Sequence, residues 1–249
     1  MRKSNRVLAV VLFCLLILLA PVFESDNGLR ATSGKALPSR NFIKEKSIEF
    51  EAAVNSLYNE ANLEESGLQR SVFEYAYKGY MWLLEQHKLE KSDVITICDF
   101  SQSSRRRRMY VIDLENKKVL VNTYVAHGRR SGGEYARSFS NNPSSHKSSL
   151  GFYITEETYF GKHGLSLKIH GLEKGFNDKA DRRNIVIHGS RYVGENFLKS
   201  NSFNGRSFGC PAIPLGKVDD VIDEIKGGSC LFIYYPEKKY LHSSKILNG

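Results

Sequence analysis

The chain has 249 residues with 41% hydrophobic and 25% charged content, which is the balance of one globular domain with a full core and room for a small helical appendage. The net charge of +9 favours polyanionic surroundings such as a cell envelope or a nucleic acid. Nucleic acid is not an expected partner, because zinc-finger spacing, a basic zipper and a basic-aromatic ribonucleoprotein motif are all missing.

Arg2, Lys3 and Arg6 precede an apolar run of 17 residues at 7–23, the pattern of an export signal or a short membrane anchor. Ala20-Pro21 makes a poor cleavage site, and Phe13 before Cys14 does not suit a lipoprotein site. Residues 1–24 are therefore expected to be a signal peptide or anchor, with the mature protein in the periplasm or cell envelope and touching a membrane only through this segment. Residues 25–41, rich in Ser, Gly, Thr and Pro, read as a linker.

Residues 42–92 form a helical segment, expected to cover the domain that follows. Leu68, Val72, Phe73, Ala76, Tyr77, Tyr80, Leu83 and Leu84 recur at three- and four-residue steps. Ser66 is the expected N-cap, and 47–60 reads as a weaker helix.

From residue 93 to 236 the pattern belongs to strands, expected at 94–100, 109–114, 119–126, 151–155, 185–188 and 229–235. The run Arg105 to Arg108 lies between the first two and reads as a solvated hairpin turn. Residues 127–149, rich in Gly, Ser, Arg and Asn, read as a long mobile loop of functional interest. Residues 158–181, with glycines at 161, 164, 171 and 175, read as irregular and surface-lying. A short helix with Val218, Val221, Ile222 and Ile225 on its apolar face stops at Gly227-Gly228. Residues 237–249 read as a polar tail.

The chemistry centres on Ile187-His188-Gly189-Ser190 and, 22 residues after the histidine, Cys210 within Arg206-Ser207-Phe208-Gly209-Cys210-Pro211. A neutral imidazole can take the proton of a thiol and later return it to a leaving amine. Glycine beside the cysteine permits a tight turn. That turn leaves the N–H groups of Gly209 and Cys210 to face an oxyanion. These parts suit acyl transfer through a thioester. A zinc site drawn from His127, His163, His170, His188 and Cys210 is the alternative, but the short paired spacing of zinc ligands is missing, and neither a metal nor another cofactor is expected. Cys98 and Cys230 read as buried small hydrophobes, and a disulfide between them is left open.

These residues resemble the L,D-transpeptidase (YkuD-like) catalytic domain family, in its murein L,D-transpeptidase branch. The resemblance rests on His188-Gly189, Ser207-Phe208-Gly209-Cys210, Ile213-Pro214, the short helix, Gly227-Gly228 and the final strand. Ser148 to Tyr153, Lys162 to Leu167 and the Cys-Pro-Ala-Ile-Pro ending add to it. It implies a mainly β, L,D-transpeptidase-like sandwich with a short C-terminal helix, preceded by the small helical segment.

It further implies a peptidoglycan L,D-transpeptidase acting on tetrapeptide stems, with release of D-alanine and formation of a cross-link. Stem peptides are the implied partners, with envelope proteins as further acceptors. An L,D-carboxypeptidase, in which water resolves the thioester, and an inactive wall-binding protein are the alternatives. In these terms Cys210 is the nucleophile, His188 the base and the Gly189 carbonyl the orienter of the imidazole. Ser207, Phe208, His170, Tyr192 and Arg206 are expected to line the substrate cleft. The family's Cys-Ile-Arg ending is Cys210-Pro211-Ala212 here, so a substrate carboxylate needs another cation, with Arg206, Arg191 and Lys199 as the candidates.

Overall fold

A computed structural model describes residues 40–249 of the chain. The apolar run at 7–23, expected as an export segment, and the linker up to residue 39 lie outside the described residues. No helix among the described residues is long and apolar enough to cross a membrane.

Two helices come first, α1 (Arg40–Glu60) and α2 (Arg70–Glu85). Val72, Phe73, Ala76, Tyr80 and Leu83 of α2 are buried, as the helical spacing predicts. The expected cap is not used. Ser66 Oγ donates to Asn62 O at 3.2 Å within the preceding turn, and Gly67, at φ +85°, separates that turn from the helix. Gln69 is the N-cap and makes no side-chain cap hydrogen bond. The helices are not a cover laid over a finished domain. Their apolar residues share one continuous core with the strands.

Eight strands make one mixed sheet: β1 (Val94–Asp99), β2 (Met109–Asp113), β3 (Lys118–Thr123), β4 (Gly151–Gly161), β5 (Gly164–Gly171), β6 (Val186–Ser190), β7 (Ala212–Pro214) and β8 (Cys230–Tyr234). Their order is β3-β2-β1-β8-β4-β5-β6-β7. β1 pairs with β8, and β6 with β7, in parallel; the other neighbours are antiparallel. The two ends of the sheet meet, because Ala126, just past β3, bridges Ala212 in β7, and Gly128 bridges Ser207. The sheet therefore curls toward a barrel, and the mainly β expectation holds.

Within residues 158–181 the part up to 171 corrects the sequence reading, while 172–180 form bends and turns as expected. β4 runs on to Gly161, and β5 returns from Gly164 with a register irregularity between Thr155 and Thr158. Leu167 and Ile169 face the core while Lys168 and His170 are exposed, the period of two proper to a strand. Gly161, Gly164 and Gly171 sit at strand ends, whereas Gly175 lies in the turns that follow β5. Residues 127–149 form no regular element, yet hydrogen bonds pin them. Gly128 N–H donates to Ser148 Oγ at 3.0 Å and Ser148 N–H to Ser131 Oγ at 2.9 Å. Arg183 donates to Ser140 O at 2.9 Å and Lys147 O at 2.6 Å.

Two short helices follow β6 and β7, α3 (Glu195–Leu198) and α4 (Val218–Ile225). α4 buries Val218, Val221, Ile222 and Ile225, as expected. The supposed polar tail folds into α5 (Lys238–Ser243) and α6 (Lys245–Asn248), burying Tyr240, Ile246 and Leu247. The buried Glu173 carboxylate fastens them, accepting from Phe152 N–H at 2.8 Å, Tyr240 hydroxyl at 2.9 Å and the Ser244 hydroxyl.

Arg108, read as part of a solvated turn, is fully buried. Its guanidinium donates to Val125 O at 2.9 and 3.1 Å, to Gln102 O at 2.7 Å and to His127 Nδ1 at 2.8 Å. It lies 4.8 Å from the centroid of the Phe100 ring. A planar fork of donors can satisfy several inward-facing carbonyls at once, which makes burial of its charge tolerable. Cys98 and Cys230 are both free. In the β1–β8 register Cys98 lies opposite Ile233 and Cys230 opposite Ile95, too far out of step for a disulfide.

Candidate active site

His188 is in the middle of β6 and only 3% exposed. Its Nδ1–H donates to the carbonyl of Gly189 at 2.9 Å, which leaves Nε2 as the open acceptor. Gly189 is small for a packing reason. A Cβ there would overlap the Val218 side chain and press on Leu215, so the start of α4 and the 3-10 turn Leu215–Lys217 close directly on β6 and fix that carbonyl. Burial lowers the imidazole pKa, the Gly189 carbonyl opposes this, and His163 and Lys162 lower it further. At neutral pH His188 is an uncharged base.

Cys210 approaches from the neighbouring chain segment. His188 and Ala212 are opposite one another in the parallel β6–β7 pair, and His188 N–H reaches Pro211 O at 3.4 Å. Cys210, two residues before Ala212, therefore emerges at the level of Val186. Its Sγ–H points at Asn184 O, 3.6 Å away, and not at the imidazole. Burial raises the thiol pKa, while the Val186 N–H, Arg183, its own N–H and Lys162 pull the other way.

The turn that carries Cys210 is braced by Ser207. Its Oγ accepts from Gly209 N–H at 3.0 Å and donates to Cys210 O at 2.6 Å. Gly209 has φ +132°, and a side chain there would strike Lys147 O, Arg183 and Ile185. Its N–H is thus committed to Ser207. Cys210 N–H has no other acceptor among the described residues and lies beside its own sulfur, so it is the main-chain donor left for an oxyanion.

The structure distributes the other expected residues unevenly. Phe208 is 61% exposed, with the Arg129 guanidinium 4.9 Å and the His146 ring 4.6 Å from its centroid. Tyr192 is half-buried beside Ala126, Val193 and Ala212. Its phenol pKa is raised by burial, lowered by Ser190 and raised again by the nearby Cys210. Arg206 is tied to Gly132 O at 3.0 Å and Arg129 O at 3.4 Å.

His170 is not brought to the pair. Ser166 on β5 is opposite His188, and His170 is four residues further on, roughly 13 Å along the strand. It donates to Asp181 Oδ2 at 2.9 Å and lines a separate cavity of 710 Å³ with Lys88, Glu90 and Glu156. Arg191 lines another cleft, of 550 Å³, with Arg107 and Lys217, and Lys199 is exposed at the end of α3. Among the described residues no group of His, Cys and carboxylates could hold a metal ion.

Three residues near the pair were not among the expected cleft residues. The His163 ring stacks on His188, centroids 4.3 Å apart and planes at 22°. Lys162 precedes it in the two-residue turn between the paired Gly161 and Gly164. A loop of that length between glycines is a hairpin signal, visible once the alternation at 165–169 is recognised. Arg183 lies against Gly209; no local pattern announces it.

The sequence profile described as the L,D-transpeptidase catalytic domain matches residues 64–234. No curated protein matches the chain. Similar solved structures include an L,D-transpeptidase from Mycobacterium smegmatis, 10% identical, covering 57% of this chain and 59% of that one at a TM-score of 0.37. An L,D-transpeptidase from Xylanimonas cellulosilytica is 15% identical, with 57% and 60% covered at a TM-score of 0.32. The helical cell shape determining protein Pgp2 from Campylobacter jejuni is 14% identical, with 65% and 57% covered at 0.39. The chain thus spans about three fifths of each of these solved proteins.

Proposed function

The chain belongs to the L,D-transpeptidase catalytic domain family, and from that premise we propose that it is a peptidoglycan L,D-transpeptidase working through a thioester on Cys210. The observation that carries this reading is the Nδ1–H bond of His188 to the Gly189 carbonyl at 2.9 Å, on a strand registered beside the Cys210 turn. It orients the imidazole and leaves Nε2 free to act as a base without help from a carboxylate.

In the proposed reaction the thiol turns from Asn184 O to His188 Nε2 and gives up its proton. The sulfur attacks the carbonyl that precedes the terminal D-alanine of a tetrapeptide stem. The oxyanion is met by Cys210 N–H, with Gly209 N–H reserved for bracing the turn. As the C–N bond breaks, His188 returns the proton to the departing amine. An amine of a second stem, or of an envelope protein, then attacks the thioester, loses its proton to His188 and displaces the sulfur, which regains a proton. Ser207 holds the turn, and Tyr192 and Phe208 line its approach. The reading places the protein outside the cytoplasmic membrane, where such stems occur.

The test is incubation of the purified protein with disaccharide-tetrapeptides, followed by weighing of the products. Cross-linked dimers with D-alanine release are expected. Tripeptides alone mean that water resolves the thioester, and no product together with no covalent adduct from a carbapenem rejects the enzyme reading. Cys210→Ala is expected to lose both turnover and adduct; activity retained in that variant rules out the thiol mechanism.

A further inference from the structure

We propose that Lys162, at the turn of the β4–β5 hairpin, holds the α-carboxylate of the departing C-terminal amino acid and thereby selects donors that end in a free acid. The inference rests on the thioester reading above and adds to it the residue that recognises the leaving group.

Its first ground is placement. Gly161 pairs with Gly164, so the turn consists of Lys162 and His163 alone. The His163 ring lies on the His188 ring at 4.3 Å. The turn is thereby fixed against the face of the imidazole, while its neighbour Lys162 is exposed. The charge of Lys162 is felt at both His188 and Cys210.

The second ground is the chemistry of the leaving group. His188 must deliver its proton to the departing nitrogen, and the carboxylate of a C-terminal amino acid is two bonds beyond that nitrogen. A cation serving that carboxylate belongs beside the imidazole, not beside Ser207.

The third ground is that the competing cations are committed elsewhere. Arg183 spends its guanidinium on Ser140 O, Lys147 O and the hydroxyls of Ser145 and Ser149. Arg206 clasps loop carbonyls. Arg129 holds its guanidinium 4.9 Å over the Phe208 ring, and its main-chain N–H donates to Ser207 O. Lys162 forms no hydrogen bond or ion pair among the described residues, so its ammonium is available to an anion.

The experiment uses the full chain and two synthetic tetrapeptides of one sequence, one ending in D-alanine and the other in D-alanine amide. The rate of release of the terminal group is measured for each. The wild-type protein is expected to prefer the free acid by about ten-fold in kcat/KM, the scale of one charge-assisted hydrogen bond. Lys162→Ala is expected to bring the acid-to-amide ratio near one, Lys162→Glu to invert it and Lys162→Arg to preserve it. A ratio unchanged in Lys162→Ala, or already near one in the wild type, overturns the assignment while leaving the thioester reading intact. Release of neither group by the wild-type protein overturns both.

Discussion

Burial acts on Cys210 and His188 in opposite directions along the pH scale. It raises the thiol pKa and lowers that of the imidazole, and each shift disfavours a charged form. At neutral pH the pair is therefore a thiol beside an imidazole, not a thiolate–imidazolium couple. In the proposed reaction the nucleophile is then generated as it attacks, with His188 as general base. Alkylation by iodoacetamide, followed at the Cys210 peptide by mass mapping, is expected to keep accelerating with pH through and above the ordinary cysteine range of about 8.5. A rate that levels off below about pH 7 would show a preformed thiolate. Cys98 and Cys230 are fully buried, and burial lifts the Cys98 thiol to about 12, so neither competes for the reagent.

At the scale of the element, α2 is held by shape more than by helical propensity. Gly79 is in the middle of the helix, where alanine is intrinsically better by about 1 kcal/mol. A Cβ at Gly79 would overlap the Phe152 ring. That ring cannot simply withdraw, because it stacks on Phe232 at 4.2 Å with planes at 14°. Overpacking of this kind costs about 1–3 kcal/mol and outweighs the gain in propensity. Gly79→Ala is expected to lower the urea midpoint with an unchanged slope; a higher midpoint would mean that α2 does not dock where the structure has it. α2 also docks against β1 and β8, which are four and three positions from β6 in the sheet order. The helical segment therefore supports the core and does not overlie the pair.

For the whole molecule, Glu173 joins the sheet to the C-terminal helices through Phe152, Tyr240 and Ser244. Burial raises its carboxyl pKa, although its three hydrogen-bond donors pull it down. The folded state thus holds that proton more tightly than the unfolded chain does. Its contribution to stability is complete below the ordinary carboxylate range, about pH 4, and is lost as pH rises through the raised value. Glu173→Gln cannot titrate there. The stability of the wild type relative to this variant, measured by urea unfolding at pH 4 and pH 8, is expected to fall with rising pH. A difference that stays level or grows would show that the carboxyl is not held above its ordinary range.

Local pattern alone singled out the pair proposed to react and located most of the strands. His188 ends an apolar run that can only be a buried strand, and Cys210 follows a glycine that its turn demands. The helical spacing of α2 and α4 was likewise legible, because each buries a stripe set by its own period. Tertiary structure decided the rest. Nothing at residues 162 and 163 says that their turn meets residue 188, because a strand's alternation gives its faces and not its neighbours. The order that puts β8 between β1 and β4, and the bridge from Ala126 to Ala212 that curls the sheet, are contacts between distant segments. Arg108 shows the same limit, since four arginines in a row look solvated until the carbonyls that bury one of them are known. The sequence therefore determined which two residue types are offered for the proposed chemistry, and the closing of the sheet decided which charges and rings surround them, because those neighbours are set by strand pairing across the whole chain.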